Sequence, residues 1–142
     1  MRVFLDANIL FSAAKSDGAV RALLRLLVER GHEAVTDAYV VAEARRNLLA
    51  KGPQALQVLD ALLTRLTVVA AASPVARAAD PGQDVELAWL PEKDRPVLAA
   101  AVRLGCDALL TGDRTHFGTG YGRVFGGVAI HSPRSLAEQI LG

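Results

Sequence analysis

Cysteine is almost missing: Cys106 is the only one in the chain. A single thiol excludes an internal disulfide and a cysteine-based metal cluster, and beside an expected strand it reads as a small core residue. Aromatic residues are also scarce, at 5%, so Tyr39 and Trp89 are assigned to core or interface rather than to stacking on bases. No apolar run approaches the length of a membrane span, and the basic, apolar and cleavage regions of a secretion signal are lacking. A cytoplasmic protein is therefore expected. Neither sign of charge dominates: 16 Lys and Arg stand against 15 Asp and Glu, giving +1. With no long basic run, charge argues neither for nor against nucleic acid. Repeats, linkers and low-complexity tails are absent as well. What remains is 142 residues, 51% of them hydrophobic, enough for one globular domain spanning residues 1–142 with a substantial core.

What the chain does have is an alternation of short apolar runs with helical stripes. Val3-Phe4-Leu5 reads as a buried strand that stops at Asp6. After a short helical stretch from Asn8, Val20, Leu23, Leu24, Leu27 and Val28 form one face of a helix closed by Gly31. Glu33 to Thr36 is a second strand, and Asp37 caps a helix over roughly Tyr39 to Ala50. A leucine-rich helix after Pro53 leads to a third strand, Thr67 to Ala70. Ser73 to Leu90 is undecided between helix and strand, apart from a turn at Asp80-Pro81-Gly82. Pro91 to Pro96 starts a helix that Gly105 ends. Ala108 to Thr111 is a fourth strand, Gly118 to Gly127 a flexible loop, Val128 to His131 a fifth strand, and Ser132-Pro133 opens a last helix. This pattern predicts an α/β fold, a parallel sheet of about five strands covered on both faces.

Two of these strands end in an acid, Asp6 and Asp113. Asp94 starts the helix feeding the fourth strand, and Glu43 lies beside the apolar stripe of its own helix. The spacing allows these four carboxylates to converge over the carboxyl edge of the sheet, where open α/β sheets hold ligands. Each also has a plainer reading: helix cap, turn residue or helix-face charge. Carboxylates about 4 Å apart repel by about 4 kcal/mol at an effective dielectric of 20. Oxygen donors without His or Cys clustering suit a hard cation, Mg²⁺ or Mn²⁺, and such ions among carboxylates most often serve phosphate chemistry.

The motifs Val3-Phe4-Leu5-Asp6-Ala7-Asn8-Ile9-Leu10, Glu43 in its helix, Pro91-Glu92-Lys93-Asp94 and Leu110-Thr111-Gly112-Asp113 resemble, in order and spacing, the PIN-domain family. Thr115-His116-Phe117-Gly118 and Gly127 to Pro133 are similar to its bacterial VapC-type ribonuclease subgroup. The resemblance implies a three-layer α/β/α sandwich and metal-dependent cleavage of RNA that leaves a 5′-phosphate and a 3′-hydroxyl. It also implies that Asp6, Glu43, Asp94 and Asp113 are the catalytic, metal-binding carboxylates, supported by Asn8 and Thr111. Asp6, Asp94 and Asp113 would hold the principal ion, with Glu43 completing the site or acting on the attacking water. Arg45, Arg46, Arg114 and His116 are candidates for contacting substrate. There is one departure from the family pattern: the further acid that often follows the position of Asp113 is missing from Arg114-Thr115-His116-Phe117, which argues against a fully occupied second metal.

By the same resemblance the chain is expected to be the toxin of a toxin–antitoxin pair, held by a small antitoxin protein, and to form a homodimer. Two other readings compete. A haloacid-dehalogenase-like phosphatase would use Asp6 as nucleophile, but Asn8 stands where that family has its second acid. A PIN-like module without turnover would keep the fold and bind RNA or protein. The Gly118-Thr119-Gly120-Tyr121-Gly122 run is not a nucleotide loop, because it leads into a strand and opens no helix.

Overall fold

The computed structural model describes residues 1–71 and 86–142, so the Asp80-Pro81-Gly82 turn and most of the undecided stretch lie outside the described residues. Strand β1 (Arg2–Leu5) has Val3, Phe4 and Leu5 fully buried, as a strand flanked on both edges and covered on both faces requires. It pairs in parallel with β2 (Glu33–Asp37) on one side and with β4 (Ala108–Leu110) on the other. Beyond β2 lies β3 (Thr67–Val69), and beyond β4 lies β6 (Val128–His131), both parallel to their neighbours. A sixth strand, β5 (Val124–Phe125), completes the order β3-β2-β1-β4-β6-β5.

That last strand departs from the expected loop at residues 118–127. It is antiparallel to β6, with Phe125 opposite Val128. Gly126 and Gly127 make the tight turn between them with φ of 58° and 83°, the left-handed backbone that a two-residue hairpin needs. Two residues are too few for an alternating pattern to register.

The helices between the strands form where their caps put them. Helices α1 (Ala7–Lys15) and α2 (Ala19–Glu29) join β1 to β2; α3 (Ala38–Lys51) and α4 (Leu56–Leu63) join β2 to β3. Helix α5 (Arg95–Arg103) feeds β4, the four-residue α6 (Arg114–Phe117) follows it, and α7 (Pro133–Leu141) ends the chain. Asp37 starts α3 by accepting the Val40 N–H at 2.9 Å, and Ser132 starts α7 by accepting that of Ser135 at 3.1 Å, which offsets the unpaired donors of a first turn. Helix α1 packs against α2, α3 and α4, its Ile9, Leu10, Ala13 and Ala14 buried. Among the described residues no helix is long and apolar enough to cross a membrane.

The chain leaves β1 toward β2 and β3 and then returns to β4 on the opposite flank. The order therefore reverses between β1 and β4, and the crevice outside the carboxyl ends of two such strands is where open α/β sheets bind ligands. Asp6 is the first residue past β1, and Thr111-Gly112-Asp113 are the first past β4.

Candidate metal centre

Asp6 is buried, and its two oxygens are used differently. Oδ1 accepts the N–H of Ala7 at 2.7 Å, capping α1. Oδ2 accepts from the Thr111 hydroxyl at 2.8 Å and from Asn8 Nδ2 at 3.0 Å. Asn8 also reaches across the switch point, donating to Thr111 Oγ1 at 3.2 Å and accepting the Gly112 N–H through Oδ1 at 2.7 Å. A network of this kind fixes both the direction and the burial of one carboxylate. Burial pushes the Asp6 pKa up to about 6; the Thr111 and Ala7 hydrogen bonds pull it down, while the negative charges of Glu43 and Asp94 push it up. Glu43 is half-buried on α3.

Asp113 divides its oxygens as Asp6 does. Its Oδ1 accepts the His116 N–H at 3.0 Å and caps α6, and its own N–H is held by Thr111 Oγ1 at 3.2 Å. Its Oδ2 is turned to the His116 ring, 2.9 Å from Nδ1. Asp94 meets the same nitrogen from α5's approach, with Oδ2 2.8 Å from Nδ1. One ligand atom from each of Asp94, Asp113 and His116 lies within 4.8 Å of the others. Burial raises the Asp94 pKa and Asp113 adds to that, while the charges of His116 and Lys93 lower it.

These contacts are close but poorly directed. Asp94 Oδ2 and His116 Nδ1 are both buried from solvent and meet as an ion pair at 2.8 Å whose alignment falls short of a directed hydrogen bond. Two carboxylate oxygens crowded onto one imidazole nitrogen have the chemistry of a cation site. Among the described residues, Asp94, Asp113 and His116 bring ligand atoms close enough together to share one cation; Asp6 and Glu43 are not in that group, and the second oxygen of Asp6 accepts from Thr111 and Asn8.

The remaining candidates are dispersed. Arg45 is paired with Asp60 of α4 at 2.7 Å. Arg46 is exposed on α3, and Arg114 is exposed at the start of α6. His116, expected among substrate contacts, stands with Asp94 and Asp113. Sequence reading assigns no role to Tyr121, whose hydroxyl donates to the Thr111 carbonyl at 2.9 Å and whose pKa is raised by burial, with Arg114 opposing and Asp113 and Asp6 adding to the rise. An aromatic between glycines in a chain so poor in aromatics is the one signal that marks it. Trp89 stacks on Phe125 at 4.9 Å and meets Phe117 edge-on at 6.2 Å, packing β5 and the end of α6 together.

A profile of the PIN domain matches residues 2–115, and the chain belongs to the PIN-domain family. The fold is similar to a crystal structure of VapBC2 from Rickettsia felis bound to a DNA fragment from their promoter. The TM-score is 0.63, over 93% of this chain and 98% of that one, at 18% sequence identity. No curated protein matches the chain in sequence.

Proposed function

We propose that this protein is a metal-dependent endoribonuclease, with Asp6, Glu43, Asp94 and Asp113 holding Mg²⁺ or Mn²⁺. PIN domains are nucleases, and the observation that supports the reading here is the meeting of Asp94 and Asp113 oxygens with His116 Nδ1 within 4.8 Å beside the switch point. A divalent ion bound there supplies positive charge that orients a phosphodiester and acidifies water. The chain's own groups do the rest. Thr111 and Asn8 hold Asp6 in place, and Asp113 is fixed by capping α6. Glu43 would complete the site or accept the proton of the attacking water, the leaving 3′ oxygen taking its proton from solvent, and Arg46 and Arg114 would contact flanking phosphates.

Within this reading the chain is the toxin of a toxin–antitoxin pair. A groove between α2 and α4 supports a protein partner: Leu24, Val28, Val58 and Leu62 line it, with Arg25 and Arg65 among its borders. An amphipathic helix with an apolar stripe and acidic flanks is complementary to it. Inhibition of cleavage by a small acidic protein encoded beside this one, lost on Val28→Asp, is the expected result.

The deciding experiment incubates mixed single-stranded and structured RNAs with Mn²⁺ or Mg²⁺, beside a chelator control and Asp94→Asn. Metal-dependent cutting that disappears in the variant supports the nuclease. A folded protein that binds neither Mn²⁺ nor Mg²⁺ and cuts nothing is the inert binding module instead.

A further inference from the structure

We propose that His116 is itself a metal ligand through Nδ1, making the centre a mixed nitrogen–oxygen site that favours Mn²⁺ over Mg²⁺. This rests on the metal-dependent reading above and adds to it a donor of a different kind from the four carboxylates.

The His116 N–H is bound to Asp113 Oδ1, and the next residue, Phe117, is fully buried against Trp89. The one turn of α6 therefore has little freedom, and it returns the imidazole to the second oxygen of the aspartate that caps it. There Nδ1 lies 2.9 Å from Asp113 Oδ2 and 2.8 Å from Asp94 Oδ2. A structural His–Asp pair aligns an N–H with one carboxylate oxygen. Here one nitrogen is shared between two oxygens at nearly equal distance and is well aligned with neither, although Nδ1 and the Asp94 oxygen are both buried. Three ligand atoms within 4.8 Å of one another have the arrangement of ligands around a common cation. Neutral imidazole is a good ligand for first-row transition ions, whereas Mg²⁺ prefers oxygen throughout. The chain thus places a nitrogen donor in the segment just after Asp113, in which it carries no further acid.

The test uses the full-length protein loaded with one equivalent of Mn²⁺ and pulsed electron paramagnetic resonance. A directly bound imidazole gives nitrogen modulation of the Mn²⁺ echo. It should be present in the native protein, absent in His116→Gln, and retained in His32→Gln, whose ring meets the Met1 amine at the opposite edge of the sheet. His116→Gln should also weaken Mn²⁺ by roughly tenfold to a hundredfold, on the scale known for lost support of a metal ligand, and weaken Mg²⁺ less. Thermal melts in chelator verify that the variant is folded. Mn²⁺ bound without nitrogen modulation overturns the assignment of His116 and leaves the carboxylate centre standing. Failure of the folded native protein to bind Mn²⁺ overturns both.

Discussion

Thr111 Oγ1 and Asp6 Oδ2 lie 2.8 Å apart, each the first residue beyond its own strand, across the seam where the order of the sheet reverses. With the Asn8 bonds to Thr111 and Gly112 and that of the Asp6 N–H to the Leu110 carbonyl, this bond joins the two halves of the fold at the point where the metal centre is proposed. The same hydroxyl accepts from Asn8 Nδ2 and from the Asp113 N–H, so a single oxygen orients two acids at once. Thr111→Val keeps the shape and removes all three contacts. Since Thr111 is fully buried, the loss should cost about 1–3 kcal/mol in urea unfolding and weaken Mn²⁺ by roughly tenfold or more. Thr111→Ser should recover most of both; unchanged Mn²⁺ affinity in the valine variant would disprove the positioning role.

Asp6 makes metal binding and stability depend on pH in opposite senses. Its pKa in the folded chain is about 6, against an ordinary 3.8. Between those values the folded state binds the proton and the unfolded state has released it. Stability from this group is therefore complete below about pH 4 and is lost as pH rises through about 6, a change of at most about 3 kcal/mol. A divalent ion must displace that proton, so its stabilisation runs the other way. Melting temperatures in chelator and in Mn²⁺ should diverge above about pH 6 and converge toward about pH 5. A Mn²⁺ effect constant across that range would remove Asp6 from the ligand set.

Much of this was legible from the sequence for one reason: the acids sit at element boundaries, and boundaries are what local patterns mark. Asp6 ends an apolar run, Asp37 precedes a helical stripe, and Asp113 follows Leu110-Thr111-Gly112. Asp6 and Asp113 each give one oxygen to a helix cap; the second oxygen of Asp113 meets His116, while that of Asp6 accepts from Thr111 and Asn8. Contacts between distant segments were not legible. Nothing local sends Arg45 to Asp60, brings the His116 ring to Asp94, or ties Tyr121 to the Thr111 carbonyl. Charge made Arg45 a substrate candidate, and only the packing of α3 on α4 gives it a partner. Strand β5 escaped because its two residues carry no periodicity, and its glycines read equally well as a loop.

Cys106 should serve as a silent reporter of unfolding. It is 4% exposed, and burial pushes its thiol up to about 11, so the reactive thiolate is scarce at neutral pH. A thiol reagent should label the native protein slowly and at a rate that rises with denaturant in step with the loss of structure. Rapid stoichiometric labelling under native conditions would contradict the packing around β4.

Gly120 is required by Trp89 rather than by its own backbone. A Cβ added there would lie 2.5 Å from Trp89 Cη2, 3.0 Å from Cζ3 and 3.1 Å from Ile130 Cδ1. The indole cannot simply swing aside, because it stacks on Phe125 and meets Phe117, and Ile130 is fully buried. Gly120→Ala should therefore cost about 1–3 kcal/mol, the usual range for overpacking a filled site. Phe117 is the residue after His116, so the strain also reaches the segment that carries the imidazole. The variant should shift the emission of the chain's single tryptophan and weaken Mn²⁺ binding, while Thr119→Ala, at an exposed neighbour, does neither. A Gly120→Ala protein with native emission and native Mn²⁺ affinity would mean that the Trp89 cluster does not support the site.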